Sequence, residues 1–100
     1  MGKDIDKNKI LRIIEKNRYN IRKYGVKKLG LFGSFLKDRQ NNKSDIDLIV
    51  VFDKPTFDKY MELKFLLEGI FSRKVDLVIE KNLKPALKYV KEEAIYAKVV

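Results

Sequence analysis

The chain has 100 residues, 45% of them hydrophobic, which is enough apolar material for one buried core and predicts a single domain over residues 1–100. It contains no cysteine and no histidine, which excludes disulfides, thiolate or imidazole metal ligands and a cysteine nucleophile. The 23 Lys and Arg residues outnumber the 14 Asp and Glu residues, and the formal charge of +9 predicts attraction to polyanions. No apolar run is long enough to span a bilayer, so we predict a cytoplasmic protein without a membrane segment.

The chain begins with a predicted amphipathic helix and a strand. Apolar residues recur at helical spacing from Ile5 to Tyr24, with lysines and arginines between them. Gly25 follows directly and is suited to end the helix. Residues 26–32 then predict a strand that stops at Gly33.

A short helical turn and a central strand follow. Ser34 is placed to cap a turn over residues 35–37, and a polar loop over residues 38–44 comes next. Residues 45–52 (DIDLIVVF) are rich in β-branched side chains and become almost wholly apolar. This pattern is typical of a strand that is buried on both faces.

The second half predicts a helix, a strand and a last helix. Apolar residues recur at helical spacing from Thr56, a suitable cap, to Phe71, and residues 74–79 (KVDLVI) predict a third strand. Asn82 then offers a cap for a helix that runs to about Tyr96. The predicted fold is therefore α+β, with a three-stranded mixed β-sheet and helices packed mainly on one face.

Three acidic residues lie within strand-like sequence. Asp45 and Asp47 are two residues apart, so their side chains project from the same face of a strand, and Asp76 lies in the apolar run of the third strand. Neighbouring carboxylates repel unless a cation lies between them. Oxygen-only ligands favour Mg²⁺, Mn²⁺ or Ca²⁺, and three carboxylates could hold two such ions.

Gly33 and Ser34 lie at the other side of this expected site. If the short connection makes the first two strands antiparallel neighbours, the end of the first strand meets Asp45 at the start of the second. Glycine allows close backbone approach, and the amides of the following turn would present donors to a phosphate. A metal site beside a phosphate site is the arrangement that phosphoryl or nucleotidyl transfer requires.

The pattern Gly33-Ser34, ten residues, then Asp45-x-Asp47, with Asp76 in a later apolar strand, resembles the minimal nucleotidyltransferases of the DNA polymerase β superfamily. The stretches LFGSF (31–35) and SDIDL (44–48) are close to the usual sequence of that family. The resemblance implies a polymerase-β-like nucleotidyltransferase core, and it extends over nearly the whole chain.

The resemblance also implies a function. MntA-type members are antitoxins that silence a HEPN ribonuclease toxin, encoded nearby, by transferring AMP from ATP to a toxin tyrosine. By this resemblance, Asp45 and Asp47 would bind two Mg²⁺ ions, and Asp76 would bind one and help to deprotonate the acceptor hydroxyl. Gly33 and Ser34 would hold the ATP phosphates.

Two further residues complete the implied nucleotide site. Family members often have a small residue and Arg-Gly where this chain has residues 36–38 (LKD), so the basic contribution would pass to Lys37 or to Arg39. Ser44, which precedes Asp45 in the matching stretch, is the other implied phosphate contact.

Two alternatives stay open at this point. A basic α+β chain of this length could be an RNA-binding module, and residues 28–35 (KLGLFGSF) faintly resemble an RNA-binding strand. That class leaves Asp45, Asp47 and Asp76 unexplained, because carboxylates without a metal repel a phosphate backbone, so direct nucleic-acid binding is not expected. The other alternative is a non-catalytic homologue that only masks a partner. A P-loop is absent from the sequence.

Overall fold

A four-stranded mixed sheet forms the centre of the computed structural model, which describes residues 5–37, 39–40 and 44–99. The spatial order of its strands is β3-β2-β1-β4, with β1 antiparallel to both β2 and β4 and β2 parallel to β3. The strands are β1 (Val26–Phe32), β2 (Ile46–Phe52), β3 (Val75–Ile79) and β4 (Ile95–Ala97). The predicted mixed α+β architecture is confirmed, but the predicted count of three strands is wrong.

Two helices precede β1, and the other two lie between strands. They are α1 (Lys7–Lys16), α2 (Arg18–Arg22), α3 (Phe57–Phe71) and α4 (Tyr89–Glu93), with 3₁₀ turns over Glu80–Asn82 and Pro85–Leu87. Within the described ranges, no helix is both long enough and apolar enough to cross a bilayer. The charged first four residues and most of the predicted loop over 38–44 lie outside the described residues.

The first predicted helix is interrupted at Asn17. The Asn17 side-chain amide donates a hydrogen bond of 2.8 Å to the Ile13 carbonyl, and its backbone N–H is shared between the carbonyls of Ile13 and Ile14. Asparagine competes in this way with regular helical hydrogen bonding. The prediction of one continuous helix was therefore wrong, whereas the end at Gly25 is confirmed by a positive φ of 78°.

Helix α3 begins and ends as the sequence predicts. The Thr56 hydroxyl accepts a hydrogen bond of 3.1 Å from the Lys59 N–H, and the left-handed residue Ser72 follows the last turn. Two side chains of α3 protect the outer edge of β3: Glu68 accepts from the Val75 N–H, and the Tyr60 hydroxyl donates to the Leu77 carbonyl. Edge groups that are bonded in this way are unavailable for pairing with another chain.

The main core lies between α1–α3 and one face of the sheet. Leu31, Leu48 and Leu77 are in register across β1, β2 and β3, and all three are buried in one cluster with apolar residues of the helices, such as Ile14 and Leu67. Because alternate residues of a strand project to opposite faces, the neighbours of these leucines point to the other face. The prediction that helices pack mainly on one face is thus confirmed for α1–α3.

The last predicted helix, over residues 82–96, is wrong. Two 3₁₀ turns and the five-residue α4 replace it, and Ile95–Ala97 form the edge strand β4 beside β1. The Tyr96 ring lies against Gly30, where an added Cβ would be 2.9 Å from a ring carbon. Pairing with the free edge of β1 and burial of this ring outweigh the local helical spacing.

Candidate active site

The acidic residues lie on the sheet face opposite α1–α3. Phe32 pairs with Asp47 in the antiparallel register, and Asp47 pairs with Asp76 in the parallel register, so the three residues form one row across β1, β2 and β3. Residues in register project from the same face of a sheet. The expected meeting of the first strand's end with the second strand's start is confirmed.

Gly33 gives the Asp47 side chain its place. Its φ of 77° is in the left-handed region, and a Cβ at this position would be 2.8 Å from Asp47 Cγ and 3.0 Å from Asp47 Cβ. Glycine is required here both for the backbone conformation and for the space. The carboxylate of Asp47 therefore lies directly against the chain at the end of β1.

The predicted turn after Gly33 forms without becoming a regular helix. The Lys37 N–H donates to the Gly33 carbonyl at 3.2 Å, and the Arg39 N–H donates to the Ser34 carbonyl at 2.8 Å. The turn directs Phe35 into the core, where it is 1% exposed. It also leaves the Ser34 N–H free to donate to the Asp47 carboxylate.

The carboxylates of Asp47 and Asp76 lie close enough together to repel each other. Burial, and after it the nearby charge of Asp76, raise the pKa of Asp47 from 3.8 to about 6, with a smaller contribution from Asp45. The hydrogen bond from the Ser34 N–H acts in the opposite direction but does not cancel these effects. A divalent cation would remove the repulsion between the two carboxylates.

Asp45 lies just before β2 and is exposed, and Asp76 is exposed as well, whereas Asp47 is half-buried. Among the residues that the structure describes, no three acidic side chains are close enough to form a complete metal-binding cluster. The donor chemistry nevertheless fits a hard cation, because Asp45, Asp47 and Asp76 all offer carboxylate oxygens. Asp47 and Asp76 would supply two carboxylate ligands to such a cation. Asp45 lies close enough to raise the pKa of Asp47 by its charge.

A cleft of about 500 Å³ opens beside the carboxylate pair. Gly33 and Asp76 contribute one side, and the segment after β3 contributes the other. The side chains of this second wall are mostly apolar, with Lys84 as its one lysine and Glu93 as its one acid. The lining residues are Phe32, Gly33, Lys37, Asp76, Val78, Asn82, Leu83, Lys84, Leu87, Tyr89, Val90 and Glu93.

The remaining predicted residues take different positions. Lys37 lines the cleft, and its ammonium lies 3.5 Å from a Glu93 carboxylate oxygen. Ser44 is not among the described residues that line the cleft, and its carbonyl accepts a hydrogen bond of 3.0 Å from Arg73 Nη1. The structure thus brings Gly33, Lys37 and Asp76 to the cleft and leaves Ser44 behind it.

The second wall of the cleft was missed by sequence reasoning. Leu83, Leu87 and Tyr89 were assigned to a continuous helix, whereas the 3₁₀ turns and α4 fold them over the sheet. Pro85 was the available signal, because proline permits a turn to start but not a preceding helical turn to continue. Leu87 and Tyr89 remain 43% and 52% exposed, so the wall also presents apolar surface to the outside.

The fold and the paired carboxylates beside a cleft are typical of enzymes that act on phosphate-bearing substrates. The profile of the nucleotidyltransferase domain matches residues 8–100, and this chain belongs to that family. It is a nucleotidyltransferase.

The relatives of known sequence include protein adenylyltransferases. A predicted protein adenylyltransferase of Methanocaldococcus jannaschii is 39% identical over 95 residues, which cover 89% of this chain and 95% of the relative. The protein adenylyltransferase MntA of Thermococcus cleftensis is 36% identical over 76 residues, covering 74% of this chain and 77% of the relative. The resemblance to MntA-type proteins is therefore confirmed.

Solved structures agree with this placement. A predicted minimal nucleotidyltransferase is similar with a TM-score of 0.72 and 31% identity, and the match covers 92% of this chain and 96% of that one. A toxin–antitoxin complex containing MntA has a similar chain, with a TM-score of 0.66, 26% identity and coverage of 93% and 72%. A complex of a HEPN toxin with an MNT antitoxin from Shewanella oneidensis shares the fold, with a TM-score of 0.61, 21% identity and coverage of 86% and 70%.

Proposed function

We propose that this chain is a Mg²⁺-dependent protein adenylyltransferase that transfers AMP from ATP to a tyrosine hydroxyl of a HEPN-type toxin and thereby acts as the antitoxin. The observation that carries the proposal is the carboxylate pair of Asp47 and Asp76, which lies against Gly33 and beside a cleft of about 500 Å³. Family membership supports the reaction class, and the pair supplies the chemistry that the class requires.

The composition of the cleft supports a nucleoside triphosphate as substrate. Val78 and Leu83 give it apolar surface, which suits a purine ring, while Lys37 and Lys84 give it positive charge, which suits phosphates. The volume lies within the range of about 300–1,000 Å³ that is usual for small-molecule sites. Gly33, which has no side chain, leaves space where the phosphates would approach the backbone.

Asp45, Asp47 and Asp76 would hold the Mg²⁺ ions, of which two are expected. When bound, Mg²⁺ would neutralise charge that develops on the phosphates during transfer. The raised pKa of Asp47, about 6, supports this role, because the site disfavours an unpaired negative charge. The Ser34 N–H would keep the Asp47 carboxylate oriented through the hydrogen bond described above.

Asp76 is the group that we assign to the acceptor hydroxyl. Its side chain is exposed and lines the cleft, so an incoming hydroxyl can reach it without displacing the core. A carboxylate in this place would take the proton of the hydroxyl as the oxygen attacks the α-phosphorus and pyrophosphate leaves. Asp47 is less suited to this step, because it is half-buried against Gly33.

The partner is proposed from the relatives. The T. cleftensis relative is a protein adenylyltransferase, and the S. oneidensis HEPN toxin was solved tri-AMPylated in complex with its MNT antitoxin. The exposed apolar side chains of Leu87 and Tyr89, beside the cleft, give an acceptor protein a surface to contact. A shared cytoplasmic location with ATP and the toxin remains a prediction.

Transfer of label from ATP to the purified HEPN-type protein encoded nearby tests the proposal. With Mg²⁺ present, the parent should label the partner, and Asp45→Asn and Asp47→Asn should each lower the rate by at least about 100-fold, because each removes a charge from the proposed metal site. The matched control is Asp53→Asn, which makes the same change at an exposed residue just after the opposite end of β2.

The controls decide between chemistry and masking. If Asp45→Asn and Asp47→Asn label the partner as fast as Asp53→Asn does, the metal assignment is wrong. If the parent binds the partner and suppresses its ribonuclease activity without labelling it, the chain is a masking homologue rather than a transferase.

A further inference from the structure

Arg73 contacts a residue next to each half of the Gly-Ser and Asp-x-Asp motif. It lies between α3 and β3, and its Nη1 donates a hydrogen bond of 3.0 Å to the Ser44 carbonyl. Its guanidinium carbon lies 5.3 Å from the centroid of the Phe35 ring. Phe35 directly follows the Gly-Ser pair and Ser44 directly precedes Asp45, so one side chain spans the start and the end of the connection between them.

The two contacts of Arg73 described above are made next to parts of the chain that are held in place by other interactions. The Phe35 ring is 1% exposed and belongs to the main core, so its position is determined by packing. The next residue, Lys74, accepts a hydrogen bond of 3.0 Å from the Ile46 N–H through its carbonyl. The consecutive residues 73 and 74 therefore hold the chain on both sides of Asp45.

Asp45 needs such support more than Asp47 does. The last residue pair between β1 and β2 is Phe32 with Asp47, and the β2–β3 pairing starts at Ile46. Asp45 is beyond both ladders and is exposed. The hydrogen bond from Arg73 to Ser44 therefore fixes the backbone at the residue that immediately precedes Asp45.

Arginine is suited to this double contact. Its planar guanidinium can lie on an aromatic face and donate in its own plane at the same time, whereas a lysine ammonium is a point charge that cannot match both geometries. We propose that Arg73 is a positioning residue that locks the entry to β2 onto the turn after Gly33, and so holds Asp45 in place to bind a divalent cation with Asp47 and Asp76. This inference rests on the proposed function.

The chain offers a closely matched control in Arg18. Arg18 Nη1 donates a hydrogen bond of 3.0 Å to the Glu15 carbonyl, and its guanidinium carbon lies 4.9 Å from the Tyr19 ring centroid. It makes the same two kinds of contact at an exposed position in the first helical region. Arg73→Met and Arg18→Met thus each remove a hydrogen bond to a backbone carbonyl and a contact with an aromatic ring, in two different places.

Two measurements without catalysis test the proposal. Hydrogen exchange of the peptide that contains residues 44–47 should be faster in Arg73→Met than in the parent and unchanged in Arg18→Met. In titrations followed by Mn²⁺ electron paramagnetic resonance, Arg73→Met should weaken Mn²⁺ binding by about 10-fold, as the loss of supporting contacts around a metal site commonly does. Arg73→Lys should recover only part of that loss.

A merely structural role would give a different result. It would lower the melting temperature of Arg73→Met while leaving the exchange of residues 44–47 and the Mn²⁺ affinity of the folded protein as in Arg18→Met, and that result would overturn the proposal. Failure of the proposed function is recognised separately. A parent that binds Mn²⁺ but labels no hydroxyl contradicts the transfer, and one that binds no Mn²⁺ contradicts the metal site and the role assigned to Arg73.

Discussion

The turn around Gly33 and the C-terminal segment over residues 80–99 build opposite sides of the same cleft by different means. Around Gly33, short-range geometry is decisive: the positive φ, the hydrogen bonds of the turn and the register of Phe32 with Asp47 all act within or between adjacent strands. The C-terminal segment has no long helix, and it is held by β4 at the edge of β1 and by the Tyr96 ring on Gly30.

The two regions are expected to serve different steps, the first the chemical reaction and the second the binding of substrates. The first region lies against the Asp47 carboxylate and tolerates little change, because Asp47 fills the space that a side chain at position 33 would need. The second region supplies apolar and charged side chains to the cleft and contains none of the three aspartates. We expect substitutions in the first region to affect turnover, and those in the second to affect mainly nucleotide and partner affinity.

The largest expected effect is that of Gly33→Ala. The added methyl would overlap the Asp47 side chain and force an alanine into the left-handed region, so we expect a loss of about 2–4 kcal/mol in the free energy of unfolding. Transfer activity should be lost with it. Urea denaturation measures the stability change.

Gly69→Ala is the matched control. Gly69 lies in α3 with no atom within 4 Å of an added Cβ, so the same substitution should raise stability by about 0.5–1 kcal/mol through helix propensity alone. Equal effects at positions 33 and 69 would contradict the close packing of Asp47 on Gly33.

Tyr96→Ala should weaken the attachment of the C-terminal segment to β1. It removes the ring from Gly30 and the 3.2 Å hydrogen bond from the Tyr96 hydroxyl to Glu80, and we expect a loss of about 2–3 kcal/mol in the free energy of unfolding. At a temperature where the variant is folded, the KM for ATP should rise more than kcat falls. Tyr19→Ala, which removes a ring that is 66% exposed, should change neither the free energy of unfolding nor the KM for ATP appreciably.

The raised pKa of Asp47 predicts a pH dependence of stability. Its folded value of about 6 exceeds the ordinary 3.8, so the protonated form is favoured by folding. The stabilisation is complete below about pH 4 and is lost as the pH rises through about 6. Because the group is only half-buried, we expect a loss of about 1 kcal/mol between pH 4 and pH 7 without divalent ions.

Asp47→Asn should remove that loss. Urea denaturation at pH 4 and at pH 7 measures the free energy of unfolding, and Asp53→Asn should show the same loss between the two pH values as the parent. Mg²⁺ should stabilise the parent at pH 7 more than Asp47→Asn. A parent whose pH profile matches that of Asp47→Asn would contradict the uncompensated carboxylate pair.

The smallest expected effect concerns the ion pair of Lys37 and Glu93. Lys37→Met should raise the KM for ATP by about 3–10-fold, because it removes one phosphate-directed cation, with little effect on stability since both groups are about half exposed. Glu93→Gln should change the KM less than about 2-fold, in the direction of tighter binding. Steady-state kinetics at constant ionic strength checks both.

The sequence was sufficient for the first region because its signals are local. β1, β3 and α3 follow from alternation, helical spacing and capping, and the juxtaposition of Gly33 with Asp47 follows from one antiparallel connection. The position of Asp76 beside Asp47 does not follow from local signals, because it depends on the parallel pairing of β2 with β3, which are joined through α3. The roles of Asp45, Asp47 and Asp76 as metal ligands remain predictions.

The second region could not be predicted because its structure depends on distant partners. Residues 89–96 have helical spacing, and only the open edge of β1 and the space above Gly30 make β4 the better solution for Tyr96. Asn17 was missed for a related reason, since its side chain ends a helix that the apolar spacing alone would continue. The contacts of Arg73 with Phe35 and Ser44 have no sequence signal.

The most direct test is to measure transfer of label to the partner protein from ATP that is labelled either on the α-phosphate or on the γ-phosphate. With Mg²⁺, label on the α-phosphate should become acid-stable on the partner in the parent and not in Asp47→Asn, while label on the γ-phosphate should not be transferred by either. Partner labelled from the γ-phosphate, or equally from the α-phosphate with and without the Asp47 carboxylate, would contradict AMP transfer at this site.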